Sequence, residues 1–351
     1  MKTRIISVPE EQIEEKDELL RQAGEILKNG GLVAFPTETV YGLGGDGLNR
    51  ESSKKIYEAK GRPSDNPLII HIVDMEALPL IVKEISREAW LVAKEFWPGP
   101  LTMILPKSDN VPGETTGGLE TVAVRMPSHK VARKLIEYAG GYVAAPSANA
   151  SGKPSPTLAK YVIEDMDGRV DMIIDGGEVG IGLESTIIDM TVKPPQILRP
   201  GFITEEMLER VLGMVDIDKT ILSNESGLAP KAPGMKYRHY APKGQLTIVT
   251  GAPENVVAFI NEQTKAAREE GKKVGIIGSE ELLHEYCADV VKSAGHRDDE
   301  QAIAHNLYRI LREFDDEDVE VIYSEAFDNG GMGQAIMNRL LKAAGHSVAE
   351  V

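Results

Sequence analysis

The sequence predicts a two-domain α/β (α+β) protein, with an N-terminal mixed-sheet domain and a small C-terminal parallel α/β domain. Three observations carry this. Strand-like runs over residues 1–208 are frequent but not regularly interleaved with long helices, which fits a mixed sheet better than a doubly wound one. From residue 245 a strand–helix rhythm repeats four times, as a parallel layer does. The 351 residues suffice for two cores rather than one.

Taken in order, residues 4–8 read as a strand and 11–29 as an amphipathic helix closed by Gly30 and Gly31. The apolar run 32–35 ends at Pro36. A loop with Thr37, Glu38, Thr39 and Tyr41 follows, then five glycines between Gly42 and Gly61. Residues 51–60 read as a helix with Ile56, Tyr57 and Ala59 inward, and 67–72 as a strand bearing His71. Between them Lys60, Arg62 and Asn66 occupy a turn made by Gly61, Pro63 and Pro67. Two cations and an amide in a rigid turn suit an anionic ligand, because Arg offers a planar fork and Lys a point charge.

A short helix near 75–82 and a stronger one over 87–96 come next, the latter stopped by Trp97, Pro98, Gly99 and Pro100. Strands are expected at 101–106 and 121–126, joined by a Gly-rich connection over 112–118. A helix at 130–138 leads to a strand at 142–145. The loop PSANASGKPSPT, residues 146–157, is dense in small hydroxyls and breakers. Further strands fall at 172–175, 186–190 and 196–199, and Thr204 caps a helix running to about residue 212, with Glu205 and Glu206 in its first turn.

Residues 213–243 have neither period, and within them APGMKYRHYAP packs two tyrosines, a histidine, a lysine and an arginine close together. That is unusual for a passive spacer. The C-terminal domain then pairs strands at 246–250, 274–277, 290–292 and 319–324 with helices at 254–270, 280–286, 299–314 and 332–344.

Charge narrows the function. The chain carries a formal net charge of −16, and residues 244–351 hold 20 acidic against 10 basic residues. A general polyanion binder is usually basic, so no stable nucleic-acid binding is expected, although a few local cations can hold a small anion. The single cysteine, Cys287, excludes an internal disulfide and indicates a reducing compartment. No run approaches 18 apolar residues and the N-terminus has no apolar signal core. A cytoplasmic protein without membrane attachment is the expectation.

Several familiar motifs are absent: Gly152-Lys153 is followed by Pro154, not Ser or Thr, and there is no G-x-S-x-G. Gly331 and Gly333 begin a dinucleotide-like fingerprint that fails at Ile336. His284 and Cys287 alone make no metal site.

What remains is PTETVYGLG, KGRP with NPLIIHI, TVAVRMP, APSANASGKPSPT, ESTIID and ILRPG, followed by PGMKYRHYAP. In this order they resemble the YrdC/Sua5 family, and specifically its two-domain Sua5 type, the threonylcarbamoyl-AMP synthases. The resemblance covers essentially the whole chain. One departure is Ala232, where the linker motif commonly begins with Ser.

The resemblance implies a YrdC-like twisted mixed-sheet catalytic domain over residues 1–208, a linker or lid over 209–243, and a Rossmann-like Sua5-type domain over 244–351. It implies condensation of L-threonine, bicarbonate and ATP into threonylcarbamoyl-AMP and pyrophosphate, for modification of adenosine 37 of tRNA. Thr39, His71, Arg125, the Ala145 backbone and Ser185 then resemble the L-threonine and carbamoyl contacts. Lys60, Arg62, Asn66, Thr121, Ser147, Ser155 and Arg199 resemble the ATP contacts, with Lys60 and Arg62 nearest the chemistry. Tyr237 or Tyr240 would close over the nucleotide. Mg²⁺ would accompany ATP, though no acidic cluster announces its ligands, and the product would pass to the tRNA threonylcarbamoyl-transferase complex. Two rivals share the scaffold: a double-stranded RNA or tRNA-binding module, which the acidic balance opposes, and a carbamoyl-transferring domain of hydrogenase maturation, whose accessory segments are missing here.

Overall fold

The computed structural model describes residues 2–218, 240–328 and 330–351. The chain divides into two compact units: Met1–Ser151, Ser155–Gly180 and Glu184–Lys236 in the first, and Gly152–Pro154, Ile181–Leu183 and Tyr237–Val351 in the second.

The first unit begins with Arg4–Ser7 (β1), Asp17–Lys28 (α1), Val33–Phe35 (β2) and Gly42–Asp46 (β3). Arg50–Lys60 (α2), Ile69–Ile72 (β4), Leu78–Ile81 (α3), Arg87–Phe96 (α4), Leu101–Pro106 (β5) and Gly113–Thr116 (α5) follow. It continues through Thr121–Arg125 (β6), Lys130–Tyr138 (α6), Tyr142–Ala144 (β7), Ala159–Met166 (α7) and Met172–Asp175 (β8). Thr186–Asp189 (β9), Gln196–Arg199 (β10), Glu205–Leu212 (α8) and Asp216–Ile217 (β11) complete it. The strands form one 11-stranded sheet, ordered β1-β8-β2-β3-β7-β4-β6-β5-β9-β10-β11. Parallel pairs such as β4 with β6 alternate with antiparallel ones such as β5 with β6, so the sheet is mixed.

Three differences from the sequence reading have physical causes. The stretch Gly42–Asp46, read as a loop from its glycines, is strand β3, paired with β2 and β7. Its glycines answer packing, not turning: a Cβ on Gly44 would lie 2.9 Å from both Phe35 and Val143 side-chain atoms. The helix expected over 11–29 begins only at Asp17, after a 3-10 turn at Glu10–Gln12. Helix α7 gave no start signal because Leu158 at its N-cap offers no side-chain acceptor.

Alternation along the strands decides what the sheet presents on each face. Ile70, Ile72, Met103, Leu105, Val122, Val124, Ile188 and Ile197 point into a core shared with α4 and α8. The opposite face carries the apolar floor Ile69, Ile104, Ala123, Ile187 and Leu198. By the same period His71, Thr102, Thr121, Arg125 and Ser185 belong to that opposite face. Register sets them in a row, with His71 beside Arg125, Arg125 beside Thr102, and Thr102 beside Ile187.

The second unit contains Gln245–Thr250 (β12), Pro253–Glu269 (α9), Val274–Ser279 (β13), Val290–Gly295 (β14), Glu300–Asp316 (α10), Val321–Glu325 (β15), Gly333–Ala343 (α11) and Val348–Glu350 (β16). Every pairing in its five-stranded sheet, ordered β14-β13-β15-β12-β16, is parallel. The helix expected over 280–286 is only a 3-10 turn at Leu283–Glu285, without a side-chain cap. Strand β16, too short and exposed to leave a pattern, adds a fifth strand at the sheet edge. No helix of the described residues is long and apolar enough to cross a membrane.

Candidate active site

Arg125, at the end of β6, is 4 % exposed. Its NH1 donates to the Thr39 hydroxyl at 2.9 Å, and Thr39 is braced in turn by the Thr37 hydroxyl at 2.9 Å. Its NH2 stands 2.7 Å from Oε1 of Glu38. That ion pair is close but poorly aligned, so Nε and NH2 of Arg125 and both Glu38 oxygens lack a well-formed hydrogen bond. Burial pushes the Glu38 carboxyl up, but the Arg125 guanidinium outweighs it and holds Glu38 below its ordinary value. The result is a fixed, charged, incompletely satisfied fork on the sheet face, suited to a carboxylate arriving in its plane.

His71 stands beside it. Its Nδ1 lies 3.2 Å from the Ile69 carbonyl and its ring meets Phe35 edge-on. Burial, and secondarily the Arg125 charge, push its pKa down to about 3. The ring is neutral near pH 7, and with Nδ1–H donating to a carbonyl, Nε2 is left as an acceptor.

A pH prediction follows. An unfolded histidine titrates near 6.5, so between that value and about 3 the unfolded chain binds the extra proton. Stability contributed by neutral His71 is therefore full above pH 6.5 and lost as pH falls, by about 3 kcal/mol at pH 4.5. Urea melts at pH 7 and 4.5 should show this loss reduced in His71→Asn; an equal acid loss in both proteins would refute the assignment.

A second group gathers at the end of α2. Lys60, 4 % exposed, points its ammonium at the carbonyls of Ser147 (2.5 Å) and Asn149 (2.6 Å), with Asn149 Oδ1 at 3.4 Å. The Ser147 hydroxyl bonds Asn149 Oδ1 at 2.5 Å. In this conformation Lys60 fixes the hydroxyl-rich loop rather than standing ready as a bare charge. The Arg62 guanidinium donates to the Pro67 carbonyl at 3.1 Å. Asn66 is buried, with its carbonyl accepting from Tyr57 at 3.1 Å and its own Oδ1 unpartnered.

The third group lies where β9 and β10 begin and end. Arg199 donates from Nε to the Ser185 carbonyl at 3.0 Å and from NH2 to the Ser185 hydroxyl at 3.2 Å. That hydroxyl also lies 2.8 Å from the hydroxyl of Thr102. Ser155 donates to Glu184 at 2.5 Å.

The structure thus brings Thr39, His71 and Arg125 together, joins Lys60 to Ser147, and joins Ser185 to Arg199. Thr121 opens β6 on the same face, and the Ala145 N–H is already engaged by the Ile69 carbonyl at 2.9 Å, leaving only its carbonyl for a ligand. Tyr240 belongs to the second unit, buried, with its ring 5.2 Å from that of Tyr308 on α10. Tyr237, and with it most of the expected lid, lies outside the described residues. Glu38, Thr102 and Glu184 share these networks without having been singled out as site residues. Thr102 sits in an ordinary strand run, and only its cross-strand neighbours reveal it.

A family model described as telomere recombination, covering Sua5, YciO and YrdC, matches residues 25–201. A second, described as the C-terminal domain of threonylcarbamoyl-AMP synthase, matches residues 203–345. The threonylcarbamoyl-AMP synthase of Pyrococcus abyssi is 51 % identical over 99 % of this chain and 100 % of its own. That of Bacillus subtilis is 48 % identical, covering 96 % of each. The crystal structure of P. abyssi Sua5 complexed with L-threonine superposes with a TM-score of 0.92 at 50 % identity, over 99 % of this chain and 100 % of that one.

Proposed function

The chain belongs to the YrdC/Sua5 family, and on that premise we propose that it is an L-threonylcarbamoyladenylate synthase, a nucleotidyltransferase acting on L-threonine, bicarbonate and ATP. The observation that carries the reading is the Arg125 fork, buried, oriented by Thr39 and Glu38, and incompletely hydrogen-bonded. It is what an amino-acid carboxylate requires.

In the reaction, the threonine amine condenses with bicarbonate to give a carbamate, releasing water and the amine's proton. A carbamate oxygen then attacks the α-phosphorus of ATP, the bond from that phosphorus to the α–β bridging oxygen breaks, and pyrophosphate leaves carrying that oxygen and the bonding electrons. No protein nucleophile is needed. The site has to hold anions, align the attack and keep water from a labile carbamate. We assign Thr39, His71, Arg125, the Ala145 carbonyl and Ser185 to threonine and its carbamoyl group. Lys60, Arg62, Asn66, Thr121, Ser147, Ser155 and Arg199 are assigned to the nucleotide, with Lys60 acting through the loop it holds. Mg²⁺ would arrive on the triphosphate with its own waters. We place the protein in the cytoplasm, supplying the adenylate to a tRNA-modifying transferase.

The test is incubation with ATP, bicarbonate and labelled threonine. Threonine-dependent pyrophosphate release, reversed by added pyrophosphate, is expected; release without threonine, or none at all, refutes the reading.

Thr102 supplies a finer prediction. A hydroxyl has one proton and two lone pairs. Arg199 donates into one lone pair of Ser185 Oγ, and the Thr102 and Ser185 hydroxyls share a hydrogen bond that either can donate; when Thr102 donates it, the Ser185 proton is released for an anionic oxygen of the ligand. Thr102→Val should weaken threonine binding by about 1 kcal/mol, close to the net worth of one hydrogen bond. Thr102→Ser should restore it, and the loss should vanish in a Ser185→Ala background. Additive losses in the double variant would show that Thr102 does not act through Ser185.

A further inference from the structure

The second unit has a crevice of its own, in the place where parallel α/β sheets bind ligands. From β12 the chain leaves through α9, which packs with Val249, Ile276 and Tyr323 on one face of the sheet, and runs past β15 to β13. From β15 it leaves through α11, which packs with α10 and β12, and runs past β12 to β16. Neighbouring strands whose connections depart in opposite directions form a topological switch point, and the carboxyl ends of the strands there are splayed around an opening.

A cavity of about 270 Å³ occupies that position, between Val249, Thr250 and Gly251 at the end of β12 and Glu325, Ala326, Phe327 and Asp328 at the end of β15. Gly251 on its rim packs tightly against the chain: at φ +151° a Cβ there would lie 2.1 Å from the Val351 backbone oxygen.

Arg297 lines this cavity. Its NH1 donates to the Ala326 carbonyl at 3.1 Å, its NH2 pairs with Glu325, and its backbone N–H is held by Glu281 at 3.1 Å. Glu325 is fully buried and also accepts from the Ser279 N–H at 2.8 Å, the Ser279 hydroxyl at 2.9 Å and Tyr286 at 3.0 Å. Its oxygens are therefore saturated, and it serves to anchor Arg297 rather than to meet a ligand. A guanidinium has five N–H donors; these contacts engage two, and the half-exposed side chain keeps the rest for a ligand.

We propose that this crevice binds a small metabolite through an oxyanion, a carboxylate or a phosphate, gripped by Arg297. Nucleotides and polyanions are poor candidates. The cavity falls below the usual range for drug-sized ligands, Asp328 stands on its wall, and the 20 acidic residues of 244–351 against 10 basic ones disfavour extended polyanions. Every residue of this crevice belongs to the second unit.

The experiment is calorimetric titration of the full chain with orthophosphate and, separately, with glycine. Wild type and Arg125→Ala should bind at least one of them alike, and Arg297→Gln should bind it about ten-fold more weakly or worse. Preference for orthophosphate identifies a phosphate source, and preference for glycine a carboxylate. Arg297→Lys keeps the charge but loses the fork and should also be weakened; it decides the matter if Arg297→Gln does not fold. The same number of sites and the same affinities in wild type and both Arg297 variants, binding lost only in Arg125→Ala, or no binding of either probe at about 10 mM overturns the proposal.

Discussion

Arg125→Ala is expected to weaken L-threonine binding by about 2–5 kcal/mol, roughly 30-fold to several thousand-fold, while ATP binding changes little. The size follows from the surroundings. The guanidinium is 4 % exposed and already oriented by Thr39 and Glu38, so a carboxylate gains a preformed, desolvated partner. Removing it also leaves Glu38 buried without its cation, whose charge now holds that carboxyl below its ordinary value. Glu38 would then take up a proton more readily, and some stability would be lost as well. Arg125→Lys separates charge from geometry, because a lysine cannot present the planar fork. Calorimetry with threonine and with a non-hydrolysable ATP analogue is the measurement. Equal losses for both ligands in a folded variant would mean that Arg125 does not read the amino acid.

Lys60→Ala should show the second large effect, on two properties together. Two charge-assisted hydrogen bonds to Ser147 and Asn149 carbonyls disappear, and these carbonyls lose their donor in a buried place. Bonds of this kind contribute about 1.5–3 kcal/mol each. A loss near 3 kcal/mol corresponds to a melting temperature lower by about 6–12 °C in a domain of this size. Adenylate formation should fall by about 100-fold or more, since the loop that aligns Ser147 is no longer fixed. An unchanged melting temperature with activity lost would reassign Lys60 as a direct phosphate ligand with no structural share.

Sequence alone determined the two-domain plan, because hydrophobic period is local. Runs such as Ile69–Ile72 and Gln196–Arg199 are strands in the structure, and the helix expected over 87–96 is α4. It also determined the family, since motifs such as PTETVYGLG and TVAVRMP lie whole in the chain. Tertiary structure decided what no local pattern carries. Gly42–Asp46 became a strand because β2 and the sequence-distant β7 pair with it, and Gly44 leaves room for the Phe35 and Val143 side chains. Thr102 joined the site because register puts it opposite Arg125 and its hydroxyl meets Ser185. The Lys60 ammonium was found on the carbonyls of a loop nearly ninety residues away in the chain. The physical reason is shared. A strand's own residues fix its period and its two faces, but neighbouring strands, paired across long stretches of chain, fix which side chains meet and what each hydrogen bond is left to do.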